Sequence, residues 1–279
     1  MRKQLHGVEV TELRSPDGAS AVVADHGAQL LSWTPVEGGP ALYLSELAQY
    51  GDSNAIRGGV PIIFPQFSER GTGKRHGFAR VRTWRQDFSG VEQGWALARY
   101  RLTDKDVGDT GWPHQFDLGY EIAFSAQELH MSLTVHNPSD HAWEFAAALH
   151  TYLRVSDIAS VNIDGLEHTD FFDETKDGAL VTQDAASLRI DTEVNRIYVD
   201  VTKPIVLSDG ERIITVQKQG FRDVVVWNPW VKKPGEATDM ACGDYRLFVC
   251  VEAGAIIKTI TLGSGETWRG TQSVAVKNK

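Results

Sequence analysis

This 279-residue chain carries almost nothing that a disulfide framework, a membrane helix or a nucleotide loop requires. Its two cysteines, Cys242 and Cys250, are too few to staple a small fold. Eight residues apart and close to a hydrophobic run, they read as buried free thiols. No apolar stretch approaches the ~20 residues that span a bilayer as a helix. The opening Met1-Arg-Lys-Gln-Leu-His-Gly7 lacks the apolar core of a secretory signal. The expectation is a soluble, cytoplasmic protein. Positive charge is scarce as well: 28 Lys and Arg face 37 Asp and Glu, a formal net charge of −9. With no extended basic surface to track phosphates, a nucleic-acid binder is excluded.

Catalytic signatures are also few. Gly71-Thr-Gly-Lys-Arg75 imitates a phosphate loop, but Ser68 stands where the first glycine belongs and Arg75 where Ser or Thr must follow the lysine. His76 occupies the third glycine position of a dinucleotide fingerprint. There is no His-Glu-x-x-His, no Cys-x-x-Cys and no Gly-x-Ser-x-Gly. The nine histidines have no ligand spacing, so no metal is expected.

Helical periodicity is missing too, apart from Leu44–Tyr50, which reads as one or two turns. What remains is β. Val8–Leu13, Trp95–Leu102, Leu129–His136, Arg212–Gln217 and Ile256–Leu262 alternate apolar and polar residues, with turn signals such as Ser15-Pro-Asp-Gly18 and Asn137-Pro-Ser-Asp140 between strands. With 42% apolar residues and no linker, the chain reads as one all-β domain over residues 1–279. The acidic stretch from Asp164 to Asp191 has the weakest pattern and reads as a surface excursion.

One segment departs from the acidic background. Residues 56–82 hold Arg57, Arg70, Lys74, Arg75, Arg80 and Arg82 against the single acid Glu69, so the rest of the chain carries −14. A glycine- and proline-rich basic island in an acidic protein fits one small anion.

Two polar residues interrupt strands. Phe145–Val155 reads as a strand whose one face holds Ala146, Ala148, His150 and Tyr152, so small neighbours leave space beside the imidazole. His150 is then either a catalytic group or a core histidine bonded to a carbonyl or to Tyr152. Glu252 ends the apolar run Leu247–Val251, just before Gly254 opens a turn. Burial there raises a carboxyl pKa and suits it to act as a base, although a structural pairing with arginine reads equally well. Trp227 and Trp230 either wall a sugar or plug a sheet edge, and Asp223 reads as a turn cap.

In order along the chain, Gly27–Trp33, Ile56–Phe67, His76–Arg80, Leu149–Leu153, Asp223–Trp230, Val249–Glu252 and Gly265–Trp268 resemble the aldose 1-epimerase superfamily, and within it the glucose-6-phosphate 1-epimerase (hexose-6-phosphate mutarotase) branch. The resemblance covers nearly the whole chain. It implies a twisted β-supersandwich of the galactose mutarotase type with the sugar on a concave face. It also implies His150 as general acid and Glu252 as general base, both titrating near pH 7, with no metal or organic cofactor. Arg57 and Arg80 match phosphate-binding positions, and Gly58 and Gly59 would let backbone approach the ligand. Arg75 stands where relatives carry glutamine and is assigned as a third phosphate ligand; His76 borders the sugar. Asn195 replaces an aspartate that binds substrate, keeping an acceptor oxygen without the charge. Arg70, Lys74 and Arg82 are expected as rim charges. The partner so implied is a hexose 6-phosphate bound by a monomer, with no nucleic acid and no membrane. A mutarotase for unphosphorylated aldoses, and a non-catalytic carbohydrate-binding protein of the same fold, are the alternatives.

Overall fold

A computed structural model describes residues 1–51, 53–210, 212–231 and 238–279. Its strands form three sheets, and every strand pairing within them is antiparallel. The first is a four-stranded meander of Arg2–Leu5, Val8–Arg14, Ser20–Ala24 and Leu30–Thr34. The second, the site sheet, runs in the order Ala179–Thr182, Asp170–Asp173, Val194–Tyr198, Asp223–Asn228, Phe248–Leu262, Trp143–Leu149, Ile62–Ile63, and Tyr152–Arg154 also pairs with Phe248–Leu262. The third, outer sheet has nine strands, from Ser187–Leu188 at one edge to Arg85–Glu92 at the other. No helix among the described residues is long and apolar enough to cross a membrane.

Alternation explains which face is covered. In Asp117–Phe124 the residues Leu118, Tyr120, Ile122 and Phe124 are buried while their neighbours are half-exposed. In the site sheet Phe145, Ala147, Leu149, Val224, Val226, Val249, Val251 and Ala253 join the main core. Every second residue therefore points the other way, and that opposite face carries the site. The exposed edge strand Arg85–Glu92 is blunted by Arg85, Asp87 and Glu92.

The five alternating segments are all strands, four of them within one or two residues, while Ile256–Leu262 is the second half of a strand that begins at Phe248. Three other expectations change. Leu44–Tyr50 is not helical, because Leu42 and Leu44 bridge to Leu153 and Gly58 and the Ser45 hydroxyl accepts from Leu47 N–H in a tight turn. The acidic stretch contributes Asp170–Asp173, Ala179–Thr182 and Ser187–Leu188 to two sheet edges, where exposure relaxes the need for an apolar pattern. Cys242 is exposed, lying in a loop before Phe248–Leu262 begins; only Cys250 is buried.

The two polar interruptions are explained by strand pairing. Leu149 opposes Ala253 and Tyr152 opposes Cys250, so the intervening register sets His150 across from Glu252. His150 N–H and Tyr152 N–H donate instead to Pro61 and Gly59 carbonyls, which splits the expected strand in two. Glu252 is mid-strand, not at a strand end: Phe248–Leu262 continues fifteen residues through Gly254. Beyond Gly254 a bulge follows, where pairing with Trp143–Leu149 shifts between Phe145 and Ala147. Asp223 caps it, accepting from Ile256 and Ile257 N–H at 2.9 Å each.

Candidate active site

A cavity of about 560 Å³ opens on the free face of the site sheet. It is lined by Arg57, Arg75, His76, Arg80, His150, Asn195 and Glu252, so all seven residues singled out in the sequence reach one space. The size suits a monosaccharide with its substituents.

His150 and Glu252 meet because directly opposed residues of antiparallel strands share a face at close Cβ spacing. Nδ1 of His150 lies 3.5 Å from Oε1 of Glu252. That is an ion-pair separation, not a hydrogen bond, and neither His150 Nδ1 nor Glu252 Oε2 has a hydrogen-bond partner among the described residues. The imidazole stacks on Tyr152, with centroids 4.8 Å apart and planes at 9°, and Trp227 meets it edge-on at 5.7 Å. Flat stacking and an edge contact fix its orientation.

The two groups do not both sit near neutrality. Burial raises the Glu252 carboxyl well above the usual carboxylate range, against a smaller opposing pull from Arg80. Burial drives the His150 imidazole well below its ordinary value, helped by His76, Arg80 and Arg57. The pair therefore favours its neutral forms, a proton on Glu252 and none added to His150.

Arg57 and Arg80 line the same cavity as this pair. Arg57 donates from Nη1 to the Tyr152 hydroxyl at 3.0 Å and from Nε to Asp239 Oδ2 at 3.1 Å, with Nη2 completing the ion pair 3.0 Å from the same oxygen. Arg80 is largely buried, donates from Nη2 to the Arg75 carbonyl at 3.1 Å and keeps a buried Nε with no partner. Burial lowers its pKa to about 10, which leaves it charged at neutral pH. The segment bearing Arg57 is held from behind by the buried Gln29 side chain, which donates to the Ile56 and Gly58 carbonyls.

His76 accepts from Ser68 N–H at Nδ1, 3.1 Å away, which leaves its proton on Nε2. Burial, reinforced by Arg80, Arg75 and Arg57, pushes its pKa down to about 3. His76 is thus a neutral wall of the cavity. Asn195 lies across from Trp227 on the neighbouring strand, and both line the space. Trp230 turns away onto Tyr245, so of the two tryptophans only Trp227 faces the site.

Two expectations about the basic island change. A Cβ on Gly58 would meet the Tyr43 carbonyl at 2.5 Å, and one on Gly59 the Leu30 carbonyl at 2.2 Å. These glycines admit neighbouring backbone, not a ligand. Arg70, Lys74 and Arg82 do not line the cavity; Arg70 pairs with Glu174, itself a lining residue, at 2.7 Å, and all three border a separate depression. Sequence reasoning also missed Asp239 and gave Tyr152 no role beyond a possible bond to His150. Tyr152 had a readable signal in its two-residue spacing from His150, while Asp239 had none.

The family model for aldose 1-epimerase matches residues 9–275. A protein of Cenchrus ciliaris named "Putative glucose-6-phosphate 1-epimerase" is 33% identical over 95% of this chain and 83% of its own length. An Escherichia coli K12 protein of the same name is 29% identical over the full length of both. Among solved structures, a "putative mutarotase (YeaD)" from Salmonella typhimurium superposes with a TM-score of 0.91 at 27% identity, covering 100% of this chain and 93% of that one. A galactose mutarotase-like protein of Clostridium acetobutylicum, 12% identical, shares the fold with a TM-score of 0.72 over 100% of this chain and 98% of that one. The supersandwich fold is therefore that of the mutarotases, and the chain belongs to the aldose 1-epimerase family, whose enzymes interconvert the α and β anomers of aldoses.

Proposed function

We propose that this chain interconverts the anomers of glucose 6-phosphate, with His150 and Glu252 as the acid–base pair and Arg57, Arg80 and Arg75 as phosphate ligands. The observation that carries this reading is the convergence of three arginines on the cavity that holds the His150–Glu252 pair. A neutral aldose gives a planar guanidinium fork nothing to neutralise, whereas a phosphate offers paired anionic oxygens. The names of the relatives point the same way.

In this mechanism the bound sugar phosphate resets the protonation of the pair. The anomeric hydroxyl donates to the Glu252 carboxylate, which favours the ionised form, and the phosphate offsets the arginine charges that act with burial to hold His150 neutral. Glu252 then takes the C1 hydroxyl proton and the new carbonyl forms as the C1–O5 bond breaks. His150 delivers its proton to O5. After rotation about C1–C2 the ring closes on the opposite carbonyl face with the two roles exchanged. Asn195, His76 and Trp227 shape the sugar's surroundings. A single domain working as a monomer in the cytoplasm completes the proposal.

The test is anomer exchange of α-glucose 6-phosphate followed by NMR, with galactose in parallel. Acceleration for the phosphorylated sugar that vanishes in Glu252→Gln and His150→Ala is expected. Wild-type exchange in Glu252→Gln would remove the assigned base. Equal acceleration of galactose would favour an unphosphorylated substrate, and no acceleration of either a binding protein.

A further inference from the structure

The three basic residues that the catalytic cavity does not use border a second space. It has about 520 Å³, close to the catalytic cavity in size, and lies on the other side of the 65–82 loop. We propose that it is a second ligand site, independent of the catalytic assignment, that takes an aromatic anion.

Its shape is built. Trp112 forms one wall, held edge-on by Phe64 at 5.1 Å and by Trp143 at 5.0 Å, so its ring plane is fixed. Phe78 and Ala146 extend that apolar surface. The opposite wall is the loop, pinned by Gln66, whose amide donates to the Ser68 and Gly73 carbonyls and whose Oε1 accepts from Gly73 N–H at 2.7 Å. A fixed aromatic face beside a pinned loop is the anatomy of a small-molecule site.

The charge is what selects an anion. Among the described residues neither Lys74 nor Arg82 has an ion-pair partner, and Arg82 Nε is buried without a hydrogen bond. The lining also holds two carboxylates that keep their charge, Glu144, which accepts from Thr259 and Thr261 hydroxyls, and Asp109, which accepts from Gly111 N–H at 2.8 Å, so an anion has to be met by Lys74 and Arg82 on the loop. Two cations beside an aromatic wall match a flat ring bearing a sulfonate, carboxylate or phosphate, which pairs with the Lys74 ammonium and the Arg82 guanidinium and stacks on the indole. The loop is common to both cavities. Arg75 and His76 face the catalytic one while Lys74 and Gly77 face this one.

The probe is 8-anilinonaphthalene-1-sulfonate, titrated into the full chain and read by its fluorescence, with thermal melts to confirm that each variant is folded. Saturable binding is expected that excess glucose 6-phosphate does not displace and that Arg57→Ala leaves unchanged. The Lys74→Gln/Arg82→Gln double variant should raise Kd at least tenfold, and Trp112→Leu by a similar factor. Lys74 is exposed, so Lys74→Gln alone tests the charge without risk to the fold and should raise Kd about threefold. An unchanged Kd in folded Lys74→Gln and Trp112→Leu overturns the site, as does displacement by glucose 6-phosphate. Loss of anomer exchange in His150→Ala bears on the catalytic reading alone.

Discussion

Arg57 and Asp239 form an ion pair inside the cavity, with Nε donating to Oδ2 at 3.1 Å and Nη2 lying 3.0 Å from the same oxygen. The carboxylate holds the same fork that a phosphate would take. Met240, buried against Tyr152 and Phe248, anchors the adjacent residue, so the carboxylate is delivered from a fixed point. An incoming phosphate must compete with it. In Asp239→Asn, inhibition of anomer exchange by inorganic phosphate should tighten by about 3–10-fold, a change of roughly 1 kcal/mol. Weaker inhibition would mean that Asp239 orients Arg57 instead of competing for it.

Tyr152 touches both halves of the site, stacking on His150 and accepting from Arg57 Nη1. Tyr152→Phe keeps the ring and loses only the acceptor. KM for the phosphosugar should rise about 3–10-fold with kcat nearly unchanged, since one hydrogen bond to a charged group is lost. Tyr152→Ala should lower kcat as well, because the imidazole loses its stacking partner. Steady-state kinetics on the two variants separate these effects.

Glu252, the proposed base, makes the chain less stable than a neutral side chain in its place would. Its folded-state pKa lies well above the unfolded value of 4.5, so the native state holds a proton that the unfolded chain has released. Stability from this group is full below about pH 4.5 and declines as pH rises above it. Glu252→Gln removes that dependence. It should raise Tm at pH 8 by about 2–4 °C, corresponding to ~1 kcal/mol, while anomer exchange falls by at least about 100-fold. A lower Tm at that pH would contradict the burial argument.

His76 and His150 act in the opposite pH range. Both are held below the ordinary histidine value, His76 at about 3, so the unfolded chain binds more protons between that value and about 6.5. Their contribution is complete above pH 6.5 and is lost as pH falls. In Glu252→Gln, which removes the opposing effect of the carboxyl, the urea unfolding free energy should therefore fall between pH 6.5 and 5.5, by about 1 kcal/mol per pH unit per group below pH 6. His76→Asn, whose Oδ1 can still accept from Ser68 N–H, should flatten the slope.

Asp223 accepts both amides of the bulge that follows Glu252. Asp223→Ala leaves two N–H groups at a buried position without acceptors and should destabilise the chain by about 2–4 kcal/mol in chemical denaturation. Asp223→Asn keeps one acceptor oxygen and should recover part of that loss.

Sequence alone determined the strand content, the face on which each polar residue stands and the place of the basic island. Those properties follow from local alternation: a side chain's face is fixed by parity along its own strand, and His150 and Tyr152 keep theirs even where the strand breaks. Only the tertiary structure decided what each face meets. Register between distant strands set His150 opposite Glu252, and a loop far along the chain brought Asp239 to Arg57. The same folding divided one basic run between two cavities and filled the space beside Gly58 and Gly59 with backbone. Parity is a property of one segment, whereas register, ion pairing and the partitioning of space depend on which distant segments the core brings together.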